Sequence, residues 1–389
     1  MKILTDGLSS VDGFLYLGKH VGIKRQKKDL GILYCEKVCS AAAVYTKNQI
    51  KGASLYVTKD HLENGQAQAV VVNSGVANVA TGQQGIKNAE LLAEAVAKEL
   101  NIQAADVLVA STGVIGPQLP MDKITAGIKG TKAELSKTGD FAEAIMTTDT
   151  FKKEICVEHE NFRIAATAKG SGMLAPNMAT MLAFVVTDAE VPADELNAML
   201  KVSVNKSLNM LSIDMDTSTS DTVMILSSGT AKDVKPERFQ EALDKVCVEI
   251  TKMLAVDGEG ATKLIISQTV NAASPADAKK VAKSIVNSNL VKCAVFGNDP
   301  NWGRIMMALG NSQAETLVED KIKVWINDKP IVDGGKAADG FDEPQLTEIL
   351  KNNKEIYIKI DLGLGESEAT AYGCDMTYDY IKINAEYTT

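Results

Sequence analysis

Short β-branched apolar runs alternate with amphipathic helical stretches along almost the whole chain, and this alternation limits the fold more than any other feature. Gln68–Val72 reads as a buried strand ending in the turn Asn73-Ser74-Gly75. Gly85–Leu100 follows as a helix, with Leu92, Val96 and Leu100 on one face and Glu94 and Lys98 as an i,i+4 pair. Asp106–Ala110 is again strand-like and runs into Ser111-Thr112-Gly113. Later strands are predicted at Arg163–Ala168, Met181–Val186, Thr222–Leu226 and Lys263–Val270, with helices at Pro192–Leu200 and Pro236–Leu254. Ser274-Pro275 pairs an N-cap with a first-turn proline and opens a helix to about Val286. The remaining strands are predicted at Leu290–Phe296, Ile322–Ile326, Glu355–Ile360, Ser367–Cys374 and Tyr380–Ala385. Several of these adjoin in sequence. The class is therefore α+β, with sheets covered by helices rather than one all-parallel doubly wound sheet. No fixed-period repeat, linker or break in composition divides the 389 residues, so the chain reads as one integrated unit.

Composition narrows the function. Asp plus Glu outnumber Lys plus Arg, 50 to 41, and a net charge of −9 argues against general binding to nucleic acid or to a membrane surface. The longest apolar runs, such as Met181–Val186, fall far short of the roughly 20 residues that span a bilayer. The start, Met1–Gly7, lacks a signal-peptide pattern, and the expectation is a cytoplasmic protein. Six cysteines without ligand spacing and only three histidines read as reduced, mostly buried thiols rather than a metal site.

The most unusual segment is Lys169-Gly170-Ser171-Gly172-Met173-Leu174-Ala175-Pro176-Asn177-Met178-Ala179-Thr180, between two predicted strands. Its plain reading is a hairpin connection, with Thr180 an ordinary strand residue. Its chemical reading starts from the weakness of a hydroxyl nucleophile that has no base beside it. A hydroxyl residue at the head of a chain can use its own α-amine, whose ordinary pKa of about 7.7–8.0 leaves part of it neutral near pH 7. A mid-chain threonine reaches that state only if the bond before it breaks. Attack by the Thr180 hydroxyl on the Ala179 carbonyl, acyl shift to an ester and hydrolysis would do this.

Ser111-Thr112-Gly113-Val114-Ile115-Gly116-Pro117 ends a strand. It is either a turn that needs a glycine or an oxyanion hole made from a hydroxyl and a neighbouring N–H. Met146-Thr147-Thr148-Asp149-Thr150 reads as a polar helix end. Asp257-Gly258-Glu259-Gly260-Ala261-Thr262-Lys263 is an exposed turn, or it aims Glu259 at a substrate amine. Gly297-Asn298-Asp299-Pro300-Asn301-Trp302-Gly303-Arg304 lacks the Gly-Lys-Ser/Thr ending of a phosphate loop and reads equally as a rigid turn before a helix.

Together these segments resemble the ornithine acetyltransferase family (bifunctional glutamate N-acetyltransferase) of arginine biosynthesis. The resemblance rests on KGSGMLAPNMATML at Lys169–Leu182, STGVIG at Ser111–Gly116, MTTDT at Met146–Thr150, DGEGATK at Asp257–Lys263 and GNDPNWGRI at Gly297–Ile305, in that order. It covers essentially the whole chain. It implies an αββα-type layered sandwich, similar to that of self-cleaving aminopeptidases. It also implies a precursor cut between Ala179 and Thr180 into chains 1–179 and 180–389, assembled as a heterotetramer.

Thr180 would be the nucleophile, and Thr112 and Gly113 the oxyanion hole. Substrate contacts would fall on Thr147 or Thr148, Lys169, Thr180, Glu259, Asn384 and Thr389. The implied reaction moves an acetyl group from N-acetylornithine to glutamate through an acetyl-Thr180 ester. A cation such as Lys169 suits an α-carboxylate, and Glu259 suits an ornithine ammonium. The resemblance implies neither a metal nor an organic cofactor, and leaves acetyl-CoA open as a second donor. Two other readings remain from the residues: an amidase or aminopeptidase in which water replaces glutamate, and a metabolite-binding protein in which Thr180 is only a strand residue.

Overall fold

The computed structural model describes residues 1–175 and 181–386. In chain order the strands are β1 (Lys2–Leu4), β2 (Phe14–Lys19), β3 (Leu30–Tyr45), β4 (Gln66–Val76), β5 (Val107–Val114), β6 (Lys153–His159), β7 (Phe162–Lys169), β8 (Leu182–Ala189), β9 (Leu211–Ser212) and β10 (Thr222–Ala231). They continue as β11 (Leu264–Ala272), β12 (Lys323–Ile326), β13 (Lys329–Asp333), β14 (Lys336–Ala337), β15 (Glu355–Asp361) and β16 (Ser367–Cys374). Nine of them form one mixed sheet in the order β1-β6-β7-β8-β10-β3-β4-β5, with β2 also paired to β3. The other seven form a second sheet, β14-β13-β12-β15-β11-β16-β9.

The long strand β3 makes the larger sheet into two layers. It pairs with β4 through Leu30–Tyr34 and again at Cys39 and Ser40, and its last part, Ser40–Tyr45, pairs with β10. Between them Glu36, Lys37 and Val38 are exposed and the register shifts. One strand thereby serves both layers, and their facing sides enclose Phe14, Tyr16, Leu33, Val70, Phe184 and Met224. Helices cover the two outer sides. Gly82–Leu100 lays Leu92, Val96 and Leu100 on Val71 and Val109. On the other side Pro236–Val256 lays Phe239, Leu243, Val246 and Ile250 on Ile155, Ile164, Val185 and Ile225. Helix, sheet, sheet, helix is the αββα arrangement that the motifs imply. The second sheet has its own core, where Val281, Ala282 and Ile285 of helix Pro275–Asn287 meet Ile356, Ile358 and Ile360.

β8 and β10, which follow residue 180, lie between β7 and β3, which precede it. The two parts of the chain are thus interleaved within one sheet. Five of the six cysteines are buried, and Cys293 is exposed. Among the described residues no helix is long and apolar enough to cross a membrane.

Two predicted strands are helices. Leu290–Phe296 lies in helix Asn289–Phe296, where Ser288 Oγ accepts from Val291 N at 3.3 Å and Val291, Lys292, Ala294 and Val295 are buried at helical spacing. Tyr380–Ala385 lies in helix Tyr378–Glu386. Short apolar runs do not separate strand from helix by periodicity alone. A cap at Ser288 and bonds within the segment satisfy these backbones without a neighbouring strand.

Candidate active site

Segments from distant parts of the sequence meet at a cavity of about 510 Å³. Thr112, Gly113, Thr147, Thr148, Lys169, Glu259 and Asn384 all line it. Ala179, Thr180 and Thr389 lie outside the described residues, but Met181 and Leu182, which follow Thr180 in the chain, line the same cavity.

Gly113 and Gly75 are partners across the parallel pair β4–β5. Gly113 has φ of +126°, and a Cβ there would lie 2.3 Å from the carbonyl carbon of Gly75. Only glycine fits this crossing, which leaves the backbone at the cavity wall bare. Next to it, Lys169 Nζ donates to Thr112 Oγ1 at 3.0 Å. An ammonium has no acceptor capacity, so the Thr112 oxygen is the acceptor and its own O–H stays available as a donor. Burial holds the Lys169 ammonium below its usual range, while Asp149, Asp221 and Glu259 pull it back up.

The polar helix end read at Met146–Thr150 is part of a buried anchor. Asp149 Oδ1 accepts from Lys153 Nζ at 2.6 Å and from Gly170 N at 2.7 Å, and its Oδ2 accepts from Thr147 N at 2.8 Å. Burial pushes this carboxyl up, but Lys153, Lys169 and the Gly170 amide outweigh it and hold it at about 2. Lys153 also pairs with Asp257, which accepts from Thr150 N at 3.1 Å. The ion group Asp149–Lys153–Asp257 therefore ties the threonine cluster, the start of the glycine-rich loop and the DGEGATK segment together. Thr148 Oγ1 and Ser171 Oγ are 2.6 Å apart across the same junction.

The segment around Glu259 is half-buried rather than the exposed turn that its glycines suggest. Glu259 N donates to Ser171 O at 2.8 Å, and a Cβ on Gly172 would come within 2.3 Å of the Glu259 carboxylate. Asn384 Nδ2 donates to Glu259 Oε2 at 2.8 Å, a contact that the helical form of Tyr378–Glu386 makes. The loop approaching Pro176 is docked as well. Asp214 accepts from Met173 N at 2.6 Å and Leu174 N at 2.8 Å, and Thr217 Oγ1 donates to Ala175 O at 2.9 Å.

Two further segments, 24–27 and 218–221, line the cavity. Lys24, Arg25, Gln26 and Lys27 form a cationic rim in an otherwise acidic chain. Buried Asp29 fixes their loop by accepting from the amides of Val21, Gly22, Ile23 and Lys24. Burial lowers the Lys24 ammonium to about 8, and its Nζ donates to Met146 O at 2.6 Å. The hydroxyl-rich run Ser218-Thr219-Ser220, followed by Asp221, forms another wall. The run of cations at 24–28 and the run of hydroxyls at 217–220 were visible as composition, without a chemistry to attach them to.

The ArgJ family profile matches residues 16–389. An "Arginine biosynthesis bifunctional protein ArgJ 2" from Clostridium acetobutylicum is 47% identical over 379 residues, covering 97% of both chains. An "Arginine biosynthesis bifunctional protein ArgJ" from Caldanaerobacter subterraneus subsp. tengcongensis is 44% identical, with both chains fully covered. Among solved structures, the argJ protein from Bacillus halodurans is 39% identical with a TM-score of 0.50, covering 52% of this chain and 98% of its own. On the profile match and these near full-length identities, this chain belongs to the ArgJ family.

Proposed function

We propose that the chain transfers acetyl from N-acetylornithine to glutamate through an ester on Thr180, after cutting itself between Ala179 and Thr180. Membership of the ArgJ family makes it an acetyl-transferring enzyme of arginine biosynthesis. The observation that carries the finer reading is the cavity itself. Thr112, Gly113, Lys169, Glu259 and Asn384, from four separate segments, meet beside Met181, the residue after Thr180.

In the first half-reaction Thr180 Oγ attacks the acetyl carbonyl and its proton passes to the Thr180 α-amine. The Thr112 hydroxyl, turned outward by Lys169, and the Gly113 amide hold the oxyanion. The C–N bond breaks, the leaving amine takes the proton and ornithine departs. Glutamate's amine then attacks the ester, Thr180 recovers its proton and N-acetylglutamate leaves. Glu259, fixed by Asn384, accepts the ornithine ammonium, and Lys169 attracts a substrate carboxylate. Thr147 or Thr148 and the terminal Thr389 add substrate contacts. The steps as written need no cofactor, and acetyl-CoA is a second donor to be assayed.

Maturation uses the same hydroxyl. Thr180 Oγ attacks the Ala179 carbonyl, the peptide C–N bond breaks to give an ester and a free α-amine, and water then hydrolyses the ester to the Ala179 acid and the Thr180 hydroxyl. Interleaving of β7, β8, β10 and β3 keeps the two products together as one catalytic unit. The Bacillus halodurans polypeptide matches about half of this chain while itself being matched almost completely, as a precursor cut near its middle would give. The mature protein is read as a cytoplasmic heterotetramer.

Intact-mass analysis of the purified protein tests maturation, with two polypeptides expected from the wild type and one from Thr180→Ala. Two fragments from Thr180→Ala, with protease contamination excluded, sink self-cleavage. The transfer assay then compares N-acetylornithine with and without glutamate. Free acetate as the main product in the presence of glutamate would replace the transferase reading with a hydrolase.

A further inference from the structure

Charge is unevenly divided around the cavity. Among the described residues Lys24, Arg25, Lys27 and Lys169 line it against Asp221 and Glu259, so four cations face two carboxyls in a chain whose net charge is −9. Burial holds the Asp221 carboxyl well above its usual range, which weakens it as a counter-charge. Two glycines seat the charges on different walls. The Glu259 carboxylate lies against Gly172 in the loop after β7, and the Lys24 stem lies against Gly75, where a Cβ would come within 3.1 Å of Lys24 Cγ. Gly75 is the partner of Gly113 across β4–β5. The cavity therefore has an acidic wall on the glycine-rich loop and a basic wall beside Gly113.

Lys24 is the fixed member of the basic wall, while Arg25 and Lys27 are exposed. Asp29 holds the Lys24 backbone amide at 2.8 Å. Lys24 Nζ donates to Met146 O at 2.6 Å and to Lys28 O at 2.8 Å. Both acceptors are neutral carbonyls, and an ammonium has three donors, so one donor and the charge itself remain for a ligand. Burial lowers this ammonium to about 8, with the like charges of Lys169 and Lys27 helping and Asp29 and Asp149 opposing. A carboxylate arriving beside it would favour the charged form.

We propose that Lys24 is a specificity-determining residue that receives the side-chain carboxylate of glutamate. This rests on the transfer reading and deepens it. N-acetylornithine carries one carboxylate and one ammonium, which Lys169 and Glu259 answer. Glutamate carries two carboxylates. One replaces the ornithine carboxylate at Lys169, and the other would meet a like charge at Glu259, so it needs a cation on another wall. Lys24 supplies it, and charge rather than size then separates glutamate from glutamine.

The test assays the full-length protein with N-acetylornithine as donor and glutamate or glutamine as acceptor. Wild type, Lys24→Met and Lys24→Arg are compared. The wild type should favour glutamate, and Lys24→Met should shrink the glutamate-to-glutamine ratio of kcat/KM about tenfold to a hundredfold, as loss of one charge-assisted hydrogen bond would do. Lys24→Arg keeps the charge and should restore most of the ratio. A second measurement uses the wild type alone. An amine-directed reagent is applied near pH 8, and modification of Lys24 is read by peptide mass mapping. N-acetylglutamate should protect Lys24 more than N-acetylglutamine does at the same concentration.

An equal fall for both acceptors in Lys24→Met gives Lys24 the task of holding its loop and overturns the proposal. So does equal protection by the two acetyl amino acids, which decides the matter when Lys24→Met fails to fold. In both cases the transfer reading stands. A wild type that releases acetate and acetylates neither acceptor overturns the transfer reading, and the proposal with it.

Discussion

The buried Lys263 ammonium has three fixed acceptors, whereas one oxygen of the buried Asp221 carboxyl has no hydrogen-bond partner among the described residues. The Lys263 ammonium donates to Val295 O at 3.1 Å, to Leu350 O at 2.7 Å and to Asn298 Oδ1. Asp375 closes the same region by accepting from the amides of Thr262 at 2.8 Å and Lys263 at 3.0 Å. Asp149, Lys153 and Asp257 form a comparable closed group beside the cavity. Asp221 and Ser220 line the cavity and are buried to a similar degree, but Asp221 Oδ2 and Ser220 Oγ have no hydrogen-bond partner among the described residues. A buried charge whose partners all come from the fixed scaffold acts as a staple. One with an oxygen left unpaired beside a cavity has capacity for a further donor. The heptapeptide Asp257–Lys263 contains this division in miniature, since its two ends are stapled while Glu259 between them lines the cavity.

The strongest way to break that comparison is to unmake a staple next to the site. Lys153→Met leaves Asp149 and Asp257 buried without their cation, and thermal or urea unfolding should register a loss of about 3–5 kcal/mol. A loss below that of an ordinary surface change would remove Lys153 from the staples. The same group sets an acid branch. Asp149 is depressed to about 2, so the stability it contributes is complete above its unfolded value of about 4 and is lost as pH falls toward 2. Asp149→Asn should flatten that branch of the stability curve.

Thr112→Val keeps the β-branched shape and removes the hydroxyl. Transfer by correctly cut protein should drop about 10²–10³-fold, with unfolding little changed. An unchanged rate leaves only the Gly113 amide as the oxyanion donor. Glu259→Gln keeps size and loses charge. kcat/KM for N-acetylornithine should fall about tenfold to a hundredfold while self-cleavage persists. Normal kinetics with normal processing would return Glu259 to a turn residue.

Lys263→Met should change activity least. It should cost about 1–3 kcal/mol of stability by stranding its acceptors, and leave the transfer rate of correctly cut molecules as it was. A changed KM would show that this staple also shapes the cavity.

The strands and helices with clear periodicity were legible in the residues. Gly82–Leu100 and Pro236–Val256 bury the predicted faces, and Ser274 caps the predicted helix. Leu290–Phe296 and Tyr380–Ala385 were not, because a six- or seven-residue apolar run satisfies either period and only capping and packing choose between them. The motifs named Thr112, Gly113, Lys169, Glu259 and Asn384 one at a time, from their chemistry and their likeness to a family. Their meeting around one cavity depends on long-range pairings: β4 with β5, β7 with β8, and the two ends of β3 in different layers. Asp149 was read as a polar helix end, and Asp221 drew no reading at all. A residue's type states which bonds it can make, and that much belongs to the sequence. Whether those bonds are already made depends on which groups, far away along the chain, folding brings within about 3 Å, and that was decided only by the tertiary structure.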